Sequence, residues 1–333
     1  VRRLKRRLTF KEVDFIIADL EEQLYQELFN PNPKAPLKTE GMLSAMNRIR
    51  EILIYQNNGL FLHLVDNFIS KIRIFGFHFA TLDLRQDSSV HTRVLKAVRE
   101  REKGFPENYD DLPEAEKIKV LSQLKQVSDI AFSDDLLNDT LESIRAVKII
   151  QEKNGALGCN RYIISQCNSA LNMMEVYGLF LLSGWKKEML NIDIIPLFET
   201  VDDLHNAAGI MATLYTHPDY RKHLTRRDNT QPIMVGFSDG TKDGGYLMAN
   251  WGIYKAKEEL TKISEQYGVR VVFFDGRGGP PARGGGKTHR FYSSLGKNIA
   301  NNEIQLTVQG QTVRSNFGTV DSAQFNIEQL VHA

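Results

Sequence analysis

The chain has little cysteine. Only Cys159 and Cys167 occur in 333 residues, too few for a disulfide framework or a four-ligand zinc site. That scarcity fits a reduced, cytoplasmic setting. It also lacks any run of about 18 apolar residues, so no membrane span is expected. Net charge is close to balance, at +1, which points to neither nucleic acid nor a membrane surface as partner. There is no internal repeat and no low-complexity tract. No Ser-His-Asp or Cys-His arrangement is legible. His289 is the only histidine near the Gly-rich loop described below, and His63, His78 and His91 fall on or beside expected helices, where a structural role is the simpler reading.

One dense basic run is present: Arg2, Arg3, Lys5, Arg6 and Arg7. No long apolar segment follows it, which excludes a signal peptide or anchor and leaves a solvated helix or a cut linker. The first residue is valine, a sign of a fragment or processed product. Hydrophobic residues make up 42% of the chain, enough for a sizeable core, and the length allows one large domain or two smaller ones.

The first part reads as helical. Thr9-Phe10-Lys11-Glu12 has the capping-box pattern, and Phe10, Val13, Ile16, Ile17, Leu20 and Leu24 keep helical spacing after it. Asn30-Pro31-Asn32-Pro33 ends that helix. Further helices are expected over 40–55 and 60–75. The character then changes. Phe79 to Leu84 reads as a strand ending at Arg85, and a polar, helical stretch follows to about 154. From Arg161 onward short apolar runs alternate with helices: strands at 162–165, 192–198, 233–237, 269–274 and 304–308, and helices at 169–183, 202–215 and 246–266. Such alternation implies parallel strands with right-handed crossovers. About six strands result, where a closed barrel needs eight. The chain is therefore an open sheet, or a barrel with two strands outside it.

The chemistry concentrates at strand ends. Val271 to Phe274 form a buried strand that ends at Asp275, and a loop follows with Gly276, Arg277, Gly278, Gly279, Arg283 and Gly284 to Gly286. Glycines let the backbone approach an anion closely, and arginines offer fixed, bidentate charge for phosphate or carboxylate. The loop is not a nucleotide-triphosphate loop, because Pro281 stands five positions before Gly286 where that motif needs glycine. Two Arg-Gly-Gly triplets invite comparison with RNA-binding tails, but this loop hangs from a core strand. Other strands end on Arg85, Glu199 and Asp239. In a parallel barrel such positions share one rim. For any one of these residues a helix cap is the competing reading, with Asp202 and Asp239 as candidate caps. Glu199 and Asp239 are hard oxygen ligands suited to Mg²⁺ or Mn²⁺. Lys242 stands three residues past Asp239, within reach of the same pocket.

Five stretches then resemble the phosphoenolpyruvate carboxylase family: LDLRQDSSVHTRVL (82–95), IIPLFETVDDLHNA (194–207), MVGFSDGTKDGGYLMANW (234–251), FFDGRGGPPARGGG (273–286) and LTVQGQTVRSNFG (306–318). The resemblance implies an α/β protein with large helical content, built on a (β/α)₈ barrel that is incomplete here. It implies a helical segment over 1–76, a partial barrel over 77–318 with a helical insertion at about 86–158, and the start of a C-terminal helix at 319–333. It implies carboxylation of phosphoenolpyruvate by bicarbonate to oxaloacetate and phosphate, in a cytoplasmic homo-oligomer, by resemblance a tetramer, with no nucleic acid or membrane as partner.

By that resemblance Glu199 and Asp239 are the Mg²⁺ or Mn²⁺ ligands. Arg85, Lys242, Arg277 and Arg283 are catalytic and substrate-binding, and Gly278 lies in the substrate loop. The family usually has histidine where Asp275 stands, so Asp275 is expected to orient Arg277 or to join the metal's outer shell. The family's N-terminal Thr-Ala-His-Pro-Thr-Glu segment has no counterpart. The chain is thus expected to be a central slice that does not turn over by itself. The competing function is a non-catalytic anion- or RNA-binding module using the Arg-Gly-Gly loop.

Overall fold

The computed structural model describes residues 10–30, 37–102, 104–126, 132–236, 238–276, 287–308 and 310–333. The chain divides into two compact units, Val1–Leu82 with Ile149–Cys159, and Asp83–Lys148 with Asn160–Ala333. Among the described residues no helix is long and apolar enough to cross a membrane.

The first unit is helical: α1 (Lys11–Phe29), α2 (Thr39–Gln56) and α3 (Leu62–Phe75). Their apolar residues recur at helical spacing and meet in one core, with Leu20 from α1, Met46, Ile49 and Leu53 from α2, and Ile69 and Ile72 from α3. Arg50 and Asp66 pair at 2.7 Å between α2 and α3. The first helix begins at Lys11 after Phe10, which makes no side-chain cap hydrogen bond, and Thr9 lies outside the described residues. The strand expected over 79–84 does not start there. Phe79 has φ +59° and its ring stacks on Phe75 at 5.3 Å. Its N–H donates to the Phe75 carbonyl at 2.7 Å, so the residue closes the end of α3 instead of extending a sheet.

The second unit holds a six-stranded sheet in the order β1-β2-β3-β4-β5-β6: β1 (Asp83–Asp87), β2 (Arg161–Ser165), β3 (Asp193–Phe198), β4 (Thr230–Val235), β5 (Arg270–Asp275) and β6 (Ile304–Leu306). Every pairing is parallel. Sequential order matters here. Right-handed crossovers between strands laid down in order put every connecting helix on the same face, and the sheet curls; a doubly wound sheet reverses its order and is covered on both faces. The unit is therefore an incomplete α/β barrel, with β1 and β6 as its edges among the described residues. The helices are α4 (Ser88–Arg99), α5 (Glu114–Ser122), α6 (Asp135–Asn154), α7 (Ala170–Leu182), α8 (Val201–Thr216), α9 (Pro218–Arg226), α10 (Ser238–Gln266, kinked at Gly245), α11 (Thr288–Ser293), α12 (Gly310–Phe317) and α13 (Val320–His332).

Strand alternation separates two environments. Ile163, Ile195, Leu197, Met234 and Phe274 form one apolar cluster on the inner face. The intervening residues face the helices. Tyr162 meets His91 of α4 at 2.9 Å and packs edge-on to Phe180 of α7. β4 begins three residues earlier than its apolar run suggests. Pro232 has no N–H to give a ladder, and Gln231, buried, supplies one from its side chain: its Nε2 donates to the Ile194 carbonyl at 3.0 Å. Tyr220 completes the arrangement by donating to Gln231 Oε1 at 2.7 Å.

Candidate functional site

Arg85 and Glu199 are 114 positions apart and meet. Arg85 Nη2 lies 3.4 Å from Glu199 Oε1. The register explains the meeting. Arg85 pairs with Ile163 and Ile163 with Ile195, so Arg85 stands on the inner face, and Glu199 continues the parity of Ile195 and Leu197. Arg85 Nε also donates to Ser165 Oγ at 2.8 Å. The Gln166 N–H donates to Glu199 Oε2 at 3.1 Å. The Arg85 side chain is 49% exposed and that of Glu199 13%, so the pair lines an accessible rim and contributes little to stability by itself.

Glu199 sits between strand and helix, outside both. The helix cap that competes with a functional role here falls on Thr200, not on Asp202. Thr200 accepts from the Asp203 N–H and Asp203 returns the bond, a complete capping box. Glu199 is left with its carboxylate on the rim. Gly236 at the end of β4 makes room for it: a Cβ there would stand 3.0 Å from Glu199 Cγ and 3.3 Å from its Cα. The Gly236 N–H donates to the Phe198 carbonyl at 2.9 Å, and the Gly276 N–H to the Val235 carbonyl at 3.1 Å, so three strand ends are stitched together at one level.

Asp275 goes elsewhere. Phe274 faces inward, so Asp275 faces the helices. Its carboxylate meets Lys257 Nζ of α10 at 2.7 Å, and Tyr292 of α11 donates to Oδ2 at 2.6 Å. The Lys257 and Asp275 side chains are 1% and 3% exposed. The ammonium also lies 5.1 Å from the Phe273 ring and 5.5 Å from that of Phe291. Asp275 is thus not brought to the Arg85–Glu199 face, and its charge is already matched. Lys242 is exposed in the first turns of α10. Asp239 lies in that helix too, with a side chain outside what is described, and Arg277, Gly278 and Arg283 lie outside the described residues.

Sequence reasoning passed over Ser165, Gln166, Lys257 and Tyr292. For Lys257 a signal existed. Ile253, Leu260 and Ser264 are buried on α10, and residue 257 falls on that stripe at helical spacing, where a lysine needs a buried partner. For Ser165 and Gln166 there was none, because the role of each depends on neighbours distant in sequence.

Among the described residues no group of three or more His, Cys, Asp and Glu comes together as a metal cage. Mg²⁺ and Mn²⁺ need no such cage, being held by one or two carboxylates with water and substrate. Glu199 fits that use: Arg85 and the Gln166 N–H each reach one of its oxygens, and a carboxylate offers about four lone-pair positions.

A family model described as phosphoenolpyruvate carboxylase matches residues 9–333. The chain belongs to the phosphoenolpyruvate carboxylase family. Among curated proteins it is 36% identical over 294 residues to the phosphoenolpyruvate carboxylase of Nitrosomonas eutropha, covering 86% of this chain and 32% of that protein. It is 36% identical over 274 residues to that of Paraburkholderia xenovorans, covering 78% and 28%. It is 35% identical over 285 residues to that of Mycobacterium leprae, covering 81% and 30%. The chain spans about a third of the length of these relatives. In this phosphoenolpyruvate carboxylase family chain, the Lys257 pairing gives Asp275, where the resemblance suggested histidine, its physical setting.

Proposed function

We propose that this chain supplies the substrate- and metal-binding rim of a phosphoenolpyruvate carboxylase, a carbon–carbon lyase that makes oxaloacetate and phosphate from phosphoenolpyruvate and bicarbonate. The observation that carries the reading is the Arg85–Glu199 pair on the inner face, at the C-terminal rim of a sequential parallel sheet, in a chain of that family. Barrel enzymes do their chemistry at that rim.

In the reaction a bicarbonate oxygen attacks phosphorus and the enolate leaves. The carboxyphosphate so formed breaks into CO₂ and phosphate. The enolate carbon then attacks CO₂, giving oxaloacetate. Arg85 binds the anionic phosphoryl or carboxylate group with Lys242, Arg277 and Arg283, and glycine at 278 is a residue type that lets an anion approach closely. These cations stabilise charge as it moves to phosphate and enolate oxygens. Glu199 and Asp239 would hold Mg²⁺ or Mn²⁺. A divalent ion bound there supplies a Lewis acid for the same developing charge. Asp275 acts from the helix side, holding the end of β5 and not the substrate. Family resemblance supports a cytoplasmic homo-tetramer for the whole protein. The isolated chain is expected to make little or no oxaloacetate: among the described residues the sheet is open between β1 and β6, so closure is incomplete and any enolate formed is protonated by water to pyruvate.

Calorimetry with Mn²⁺ and phosphoenolpyruvate, together with oxaloacetate formation against a full-length carboxylase, tests this. Mn²⁺ binding is expected to be lost in Glu199→Ala and Asp239→Ala, and phosphoenolpyruvate binding in Arg85→Ala. Turnover by the isolated chain is expected below about a tenth of the control, a barrier difference of about 1.4 kcal/mol or more. Mn²⁺ binding untouched by either carboxylate change sinks the reading. Salt-sensitive RNA binding lost in Arg277→Ala and Arg283→Ala would favour the non-catalytic module instead.

A further inference from the structure

The end of β2 brings no charge to the rim, yet it touches both members of the Arg85–Glu199 pair. Its last residue, Ser165, accepts from Arg85 Nε at 2.8 Å. The next residue, Gln166, gives its backbone N–H to Glu199 Oε2 at 3.1 Å. One contact is made by a side chain and the other by the main chain. Gln166 has φ +52°, in the left-handed region that residues other than glycine seldom adopt. Such a conformation persists where its surroundings hold it. Two holds are visible. Ser88 Oγ, at the start of α4, donates to the Gln166 carbonyl at 2.8 Å, and the N–H of buried Cys167 donates to the Leu197 carbonyl at 3.4 Å. The turn at Gln166 ends the β2–β3 ladder and aims an N–H at a carboxylate.

The Arg85 contacts have a further consequence. A guanidinium has two edges for planar anions. Ser165 and Glu199 take the Nε and Nη2 atoms, which leaves the Nη1 edge for a ligand. A long, half-exposed arginine that is already oriented loses less rotamer freedom when it binds.

We propose that Ser165 and Gln166 are the positioning residues of this rim: the Ser165 hydroxyl sets the plane of the Arg85 guanidinium, and the Gln166 amide fixes the Glu199 carboxylate, so Arg85 stands ready for a phosphorylated carboxylate, and Glu199 for a divalent cation, before either arrives. The anion-binding consequence rests on the function proposed above; the positioning itself does not.

Two measurements on the 333-residue chain test it. Side-chain proton–nitrogen spectra without ligand read the Arg85 Nε–H, assigned by its loss in Arg85→Lys. Its exchange with water is expected to be slow in the parent and in Ser165→Thr, and about tenfold faster in Ser165→Ala, the factor one charge-assisted hydrogen bond carries. Equal rates in the parent and Ser165→Ala overturn the proposal, whatever the chain binds. In the second measurement phosphoenolpyruvate is titrated with circular dichroism as the fold control. Ser165→Ala is expected to weaken binding about tenfold, and Ser165→Thr and Gln166→Gly, which keep the hydroxyl and the amide, to stay within about twofold of the parent. A loss in Arg85→Ala without one in Ser165→Ala overturns the proposal, and a tenfold loss in Gln166→Gly overturns the assignment to its backbone. Binding unaffected by Arg85→Ala counts against the proposed function alone, and the exchange rates then decide the positioning.

Discussion

Lys257 and Asp275 form a buried ion pair behind the end of β5, with Nζ 2.7 Å from Oδ1 and 2.8 Å from Oδ2. Removing one partner of such a pair leaves an uncompensated buried charge. Lys257→Met is therefore expected to cost about 3–5 kcal/mol, and Lys257→Met with Asp275→Leu less than that single change. Urea unfolding of the two singles and the double measures the coupling. Additive losses would show that the two groups act independently. Asp275→His puts an imidazole beside the ammonium and is expected to destabilise as well.

Gly236→Ala tests how tightly the rim is packed. The added methyl meets the Glu199 main chain as well as its side chain, so a rotamer change alone does not relieve it. A loss of about 1–3 kcal/mol is expected, as for other overpacked sites. An unchanged urea midpoint would mean that the β3 and β4 ends part easily.

Thr200→Ala removes the side-chain half of the α8 capping box, the bond from the Asp203 N–H to Thr200 Oγ1, and keeps the bond from the residue-200 N–H to Asp203. The expected loss is about 1 kcal/mol, with Thr200→Ser close to the parent. A loss as large in Thr200→Ser as in Thr200→Ala would assign the effect to the methyl group, not the hydroxyl.

Stability is expected to fall as pH drops below about 6.5, the ordinary histidine value. Burial, opposed by Asp87, holds His91 down to about 4. Burial together with Arg226 and Arg227 holds His223 down to about 3. Both stay neutral in the folded chain while the unfolded chain takes up protons, so their contribution is whole above 6.5 and is lost as pH falls toward those values. Each histidine accounts for up to about 1.4 kcal/mol per pH unit in that window. Urea midpoints at pH 7.5 and 5.5 check this, and His223→Gln should remove about half of the part that His91 and His223 carry. Equal midpoints at the two pH values would contradict it.

The alternation of apolar runs and helices from Arg161 onward gave parallel strands correctly, since each buried strand needs a continuous apolar run and each crossover an amphipathic helix. Strand ends were read less well. Phe79 belongs to the helical unit because its N–H closes onto the Phe75 carbonyl and its φ is +59°, outside the strand region. β4 starts before its apolar run because the Gln231 side chain makes up for the proline. At the rim, the period of two along β3 puts Glu199 on the face of Ile195 and Leu197, and the register across β1, β2 and β3 brings Arg85 to that face. The same rule would have turned Asp275 away, had the inward parity of Phe274 been known.

By itself the sequence determined the family, through five stretches in order, and the chemistry on offer, because cations, carboxylates and glycines are properties of residues. It left open a choice between an open sheet and a barrel. The strand order decided that, since only sequential pairing puts every crossover on one face. Tertiary structure also decided which charges meet. Arg85 and Glu199 face each other through register, while Asp275, one residue past an inward phenylalanine, is claimed by Lys257. Side-chain direction alternates at every step along a strand, and only the partners on each face say which direction is inward.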